Sequence, residues 1–175
     1  QGGVKSSGPV IVYWPALVDS KYIKEKVHIN GDEIEIVPTS QLEFEEIYYQ
    51  KEPIKIENVE IENEKDIYFG DLYGTRSGDK GGCANLGIWA KNSHSFAFLY
   101  NFLTVNKLKE LLPDLKEFKI ERYELSNIYS LNFYIHDILQ DGVSSNDRKD
   151  AQAKSLGEYL RAKKIKVPQS IIGDS

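Results

Sequence analysis

Alternation of apolar and polar residues with a period of two marks several strands along this chain. Val10-Ile11-Val12-Tyr13-Trp14 is a β-branched and aromatic run, set off by Gly8-Pro9 before it and Pro15 after it. Val27-His28-Ile29 and Glu33-Ile34-Glu35-Ile36-Val37 flank Asn30-Gly31-Asp32. Asn-Gly supplies the positive φ angles of a tight hairpin, and Ile34 and Ile36 alternate with charges. Leu42-Glu43-Phe44 and residues 54–61 alternate again. The first 65 residues therefore read as a β-rich segment, and Glu62-Asn63-Glu64-Lys65 is a polar break that bounds it.

The pattern changes after this break. Residues 67–73, 84–90, 118–125 and 131–139 read as strands. Thr104 is placed to cap a helix whose face is Val105, Leu108, Leu111 and Leu112, ahead of Pro113. The apolar run 96–103 fits helix or strand by periodicity, and its position before Thr104 favours helix. Residues 150–163 read as a last helix, with Ala153, Leu156, Gly157 and Leu160 on one face. Asp150 suits its N-cap, and Arg161, Lys163 and Lys164 suit its C-terminal end. The order ββαββα over residues 66–168 predicts an α+β domain: a four-stranded antiparallel sheet with helices on one face. Residues 169–175 are left as a tail.

A chain of 175 residues accommodates one domain or two small ones. The formal charge of −5 is uneven: residues 1–65 carry a net −6 and residues 66–175 a net +1. Neither half is a basic surface for a nucleic-acid backbone, so the eleven tyrosines, Tyr48-Tyr49 among them, fit core and interface packing better than stacking on bases. No apolar run reaches the roughly 18 residues of a membrane span. With a single cysteine, Cys83, no intrachain disulfide is possible, which suits a reducing, cytoplasmic compartment. The chain has no methionine, and Gln1-Gly2-Gly3 reads like a cut linker, so a piece of a longer protein is expected.

The chemistry concentrates in Gly74-Thr75-Arg76-Ser77-Gly78-Asp79-Lys80-Gly81-Gly82. Read as a loop between two strands, it is longer than a hairpin needs. Its glycines permit positive φ, so the amides of Gly78, Gly81 and Gly82 can converge on an anion, with Arg76, Ser77 and Lys80 beside them. Asp79 can serve as a base or pair with Arg76 or Lys80. The spacing is not that of a Walker A loop. The plainer alternative is a wide turn held by internal salt bridges.

Asn132, Tyr134 and His136 alternate with Phe133 and Ile135, so they share one face of a strand. If that face is open, Asn132 and His136 can line a pocket with the glycine segment, and His136 can act as an acid or base. A surface or hydrogen-bonded histidine is the plainer account. Asn85 is placed to fix the loop, and Arg148 either serves the anion site or decorates the surface. Cys83 reads as a small core residue rather than a nucleophile. His28 and His94 have no partners at metal-ligand spacing, so no metal is expected, and nothing calls for a cofactor.

The segment 74–90, with Arg-Ser-Gly-Asp-Lys-Gly-Gly and Asn85-Leu86-Gly87-Ile88, resembles the signature of the AtuA-like family, the acyclic terpene utilisation proteins. Leu103-Thr104-Val105, residues 122–127, residues 131–136 and residues 148–154 continue the resemblance in order, over most of 66–168. Residues 8–40 are similar, more weakly, to the stretch before this domain in longer members. The resemblance implies a ferredoxin-like C-terminal domain with the large N-terminal domain absent. Some relatives are short, stand-alone versions. It also implies a setting in branched acyl-CoA or terpenoid catabolism, without naming a reaction. Two functions follow as expectations. The domain assembles with a larger AtuA-like catalytic domain or as a homo-oligomer, or it forms part of an enzyme site holding an acyl-CoA or carboxylate through residues 76–82.

Overall fold

The computed structural model describes residues 16–36 and 63–173. The strand expected at residues 10–14 and the alternating stretches at 42–44 and 54–61 lie outside the described residues. The chain divides into two compact units, Trp14–Pro53 and the remainder. In the smaller unit a 3-10 turn, Ser20–Tyr22, precedes a hairpin of β1 (Glu25–Ile29) and β2 (Asp32–Ile36). Its turn is Asn30-Gly31, with φ of 53° and 95°, the left-handed pair this dipeptide favours.

The larger unit holds β3 (Glu64–Tyr68), α1 (Phe69–Leu72), β4 (Gly74–Lys80), β5 (Cys83–Trp89), α2 (Ser93–Phe102), α3 (Val105–Leu111), β6 (Ile120–Leu125), β7 (Ser130–Ile135), α4 (Leu156–Arg161), β8 (Lys164–Pro168) and α5 (Gln169–Gly173). Four strands form one antiparallel sheet in the order β4-β5-β7-β6. β3 and β8 form a separate two-stranded pair.

The two central strands explain the sheet. In β5, Ala84, Leu86 and Ile88 are buried while Cys83, Asn85 and Gly87 alternate with them; in β7, Leu131, Phe133 and Ile135 are buried while Asn132 and Tyr134 alternate. The apolar set packs with Leu99, Leu103, Leu108, Leu112 and Leu115 from the helical side. Full burial of a side chain of this size contributes about 1.5–3 kcal/mol, so this side holds the domain together. Asn92 Oδ1 accepts from Ser95 N at 2.8 Å to cap α2, and Thr104 Oγ1 accepts from Lys107 N at 3.1 Å to cap α3. Of the apolar run 96–103, residues 96–102 are thus helical and Leu103 is the C-cap.

Four expectations change. Residues 67–73 are not one strand: β3 ends at Tyr68, and α1 follows, with Phe69 and Tyr73 buried. The expected glycine loop is mostly a strand: residues 74–80 are β4, zipped onto β5 in full register, and only Gly81-Gly82 turns. Gly81 has φ 63°, which a side chain would resist. The last helix is short because Asp150 spends its carboxylate on the amides of Lys154 and Ser155, both at 2.9 Å, and Ala153 sits at φ 52°. Beyond Pro168 the chain forms α5, with Ile171 buried.

Candidate functional site

Helices cover one face of the four-stranded sheet, and alternation places a different set of residues on the other. β4 contributes Gly74, Arg76, Gly78 and Lys80; β5 contributes Cys83, Asn85, Gly87 and Trp89; β7 contributes Asn132 and Tyr134, with His136 just beyond its end; β6 contributes Glu121, Tyr123 and Leu125. Trp89, at the end of β5, is 44% exposed and Tyr123, on the edge strand β6, is 50% exposed.

The sequence-predicted site residues divide between the two faces. Arg76, Gly78, Lys80, Asn85, Asn132 and His136 share the open face. Ser77 and Asp79 point the opposite way, and Ser77 Oγ accepts from the amide of Gly157 at 3.0 Å, fastening β4 to α4. Gly81 and Gly82 form the turn, where Gly82 is committed: its carbonyl accepts from Leu139 N at 2.8 Å, and a β-carbon there would lie 2.2 Å from the Gln140 carbonyl oxygen. Arg148 belongs to neither group. It lines a separate cleft of about 510 Å³ with Asp114, Lys149, Asp150, Ser155, Leu156, Glu158 and Tyr159.

The amides of Gly78, Gly81 and Gly82 do not share one loop: Gly78 is in β4, where N–H groups lie in the sheet plane, while Gly81 and Gly82 form the turn beyond its end. Positive charge remains. The Arg76 guanidinium has no hydrogen bond or ion pair among the described residues. Among the described residues, Lys80 Nζ bonds its neighbouring carbonyl, Asp79 O, at 2.9 Å. At the centre of the face Asn85 Nδ2 donates to Asn132 Oδ1 at 3.3 Å, which ties β5 to β7 across 47 residues of chain.

One corner carries a hydrogen-bonded network that sequence reasoning only half found. His136 Nε2 lies 3.0 Å from Glu121 Oε1, Lys119 Nζ lies 2.9 Å from the same oxygen, and the Tyr123 hydroxyl donates to Oε2. The bonds from Tyr123, Lys119 and His136 hold the Glu121 carboxyl at about 2, well below the ordinary carboxylate range. Tyr134 stands edge-on to the His136 ring, with centroids 4.9 Å apart. The neighbouring Cys83 thiol, and to a lesser degree burial, push the ionisation of its phenol up. Cys83 is half-buried on the open face rather than in the core, and its Sγ accepts from Asp137 N at 3.5 Å. The signal for Glu121 was its alternation with Arg122, whose side chain reaches the helical side and bonds Tyr100 O at 2.7 Å.

His28 lies against Glu33 in the hairpin and His94 lies in the first turn of α2. Among the described residues no group of His, Cys, Asp or Glu could hold a metal ion, and no helix is long and apolar enough to cross a membrane. A second cleft, of about 690 Å³, lies on the helical side among Phe98, Phe102, Leu111, Ile165 and charged residues of β3, β8 and α3.

A family model described as the AtuA ferredoxin-like domain matches residues 68–166. No curated protein and no solved structure matches the chain.

Proposed function

The chain belongs to the AtuA ferredoxin-like domain family, and from that premise we propose that it is an accessory domain whose open sheet face forms one wall of a site completed by a partner polypeptide. The observation that carries this reading is the asymmetry of the sheet. One face is sealed by helices, while the other presents Arg76, Asn85, Asn132, Tyr134 and His136 together with the exposed rings of Trp89 and Tyr123. The two clefts described above lie elsewhere, and a partner laid over this face would add depth to the shallow relief of the sheet.

The partner we assign is a larger AtuA-like catalytic domain, to which this domain would stand as a C-terminal region, in cytoplasmic catabolism of branched acyl-CoA or terpenoid compounds. Both edges of the sheet favour a face-on rather than an edge-on contact. β4 carries Arg76, Asp79 and Lys80, and β6 carries Glu121, Arg122 and Glu124, the charged residues that discourage edge pairing. A second reading gives the face a small ligand of its own, an acyl-CoA or another carboxylate. The unpartnered guanidinium of Arg76 favours it, and His136, oriented by Glu121, is the group there that can move a proton.

Tyr123→Arg provides the test, because Tyr123 is half exposed on an edge strand and its side-chain hydrogen bond goes to the exposed Glu121. Binding of the chain to an AtuA-like catalytic domain, measured by sedimentation velocity, should be lost in the variant while its thermal unfolding stays within a few degrees of the parent. Self-association abolished by the same change would instead make a second copy the partner. A chain that associates with neither, or associates equally well with Arg at position 123, overturns the reading.

A further inference from the structure

Two glycines on the open face, one on the edge strand β4 and one on its neighbour β5, are not required by any contact the fold supplies. Gly78 in β4 and Gly87 in β5 have no positive φ. A β-carbon at Gly78 would meet nothing within 4 Å, and one at Gly87 would make only ordinary contacts, 3.6 Å from Arg76 O and 3.9 Å from Asn132 Oδ1. Gly74 is different: the indole of Trp89 lies across it, and a β-carbon there would fall 2.1 Å from the ring. Glycine weakens a strand interior, and where packing does not demand it, it marks a place at which another molecule comes close to the backbone.

The register makes the two bare positions neighbours. Arg76 pairs with Gly87, and Gly78 pairs with Asn85; across β5, Gly87 pairs with Asn132. Gly78 and Gly87 are therefore diagonal neighbours, and they leave a hollow one side chain deep, rimmed by Arg76, Asn85 and Asn132. The rim has unused donors. Arg76 offers its whole fork, and the Asn85–Asn132 bond leaves one amide hydrogen of Asn85 and both of Asn132 without a protein partner among the described residues.

The direction of those donors selects the ligand. Strand amides lie in the plane of the sheet, so nothing points up from the floor to hold a tetrahedral phosphate. Donors come from the sides, and a guanidinium fork beside carboxamides matches a flat carboxylate lying on a bare floor. Tyr123, in register with Asn132, supplies an exposed ring beside the hollow. We infer that the hollow at Gly78 and Gly87 binds the carboxylate of a small planar acid, aromatic or conjugated, through Arg76, Asn85 and Asn132. This deepens, and rests on, the reading of the open face as a site wall.

Nuclear magnetic resonance titration of the full chain with benzoate tests the inference, with cyclohexanecarboxylate and inorganic phosphate as controls for planarity and for charge alone. Benzoate should shift the amides of Gly78 and Gly87 and the side-chain signals of Arg76 and Asn132 saturably. Arg76→Gln should weaken binding by about tenfold or more. Gly78→Ala and Gly87→Val should abolish it while leaving the melting temperature equal or higher, which a structural role for these glycines would not do. No saturable shift, equal shifts with either control, or undiminished binding by the glycine variants overturns it. Glycine variants that bind benzoate normally but lose the partner domain would assign the hollow to the partner instead. Failure with benzoate while association persists would sink this inference and leave the accessory-domain reading standing.

Discussion

The back of β4 must be held for Arg76 to keep its place on the front, and Gly157 is where that hold can be measured. A methyl group at position 157 would lie 2.7 Å from Thr75 Oγ1, 3.3 Å from Thr75 Cβ and 3.6 Å from Arg76 N. Thr75 is buried and has no room to turn away, so α4 has to back off β4. Overpacking of this kind costs about 1–3 kcal/mol. Stretching the bond from Gly157 N to Ser77 Oγ adds about 0.5–1.5 kcal/mol. Alanine in a helix returns up to about 1 kcal/mol over glycine, and less in a first turn. The contact terms win, and Gly157→Ala should destabilise the domain by about 0.5–4.5 kcal/mol. Urea unfolding should show a lower midpoint with an unchanged slope. Thr75→Ala, which removes an unpartnered hydroxyl, should relieve part of the penalty, so the double variant loses less than the two single variants together. Equal or greater stability of Gly157→Ala would refute the seating of α4 on β4, and strictly additive losses would refute Thr75 as the obstacle.

Further outcomes follow from the same contacts. Phe133 is fully buried at the centre of β7, so Phe133→Ala should cost about 3–5 kcal/mol in denaturant unfolding. Thr104→Ala removes the cap of α3 and should cost about 1 kcal/mol by the same assay. The Glu121 carboxyl is depressed in the folded state from 4.5 to about 2, so what it contributes is present above pH 4.5 and is lost as pH falls towards 2. Thermal unfolding of wild type and Glu121→Gln should therefore differ slightly at neutral pH and converge in that acid window. A constant difference across the range would mean that the carboxylate bonds are not the cause.

The central strands were readable because each alternates apolar and polar residues against a sealed and an open face. Asn132, Tyr134 and His136 could therefore be placed together before any fold was in view. β4 was not readable. Its residues are glycines and charges, poor strand formers by intrinsic preference, and it is a strand because β5 offers it seven residues of pairing and α4 a seat behind. The shape of the candidate site followed the same divide. Arg76, Gly78, Asn85 and Asn132 could be listed, but whether amides or side chains would face a ligand depended on the conformation of β4. The Glu121–His136 contact joins residues 15 apart on neighbouring strands, and only the register of β6 with β7 brings them together. The start of α4 was hidden for a local reason, since the apolar face at Leu156, Gly157 and Leu160 is helical while Asp150 diverts the residues ahead of it into turns.

The pairing of β3 with β8 has a consequence for how nature could use this module. Glu64 stands directly across from Pro168, so the first and last strands of the unit's described part run side by side, one strand spacing apart. A unit tethered at one point can be spliced into a surface loop of a host, or hung from its end, without forcing the host to open a gap. Ile165, Val167 and Ile171 lie in the same core as the sheet, so a host joined here would hold the broad sheet surface at a fixed angle.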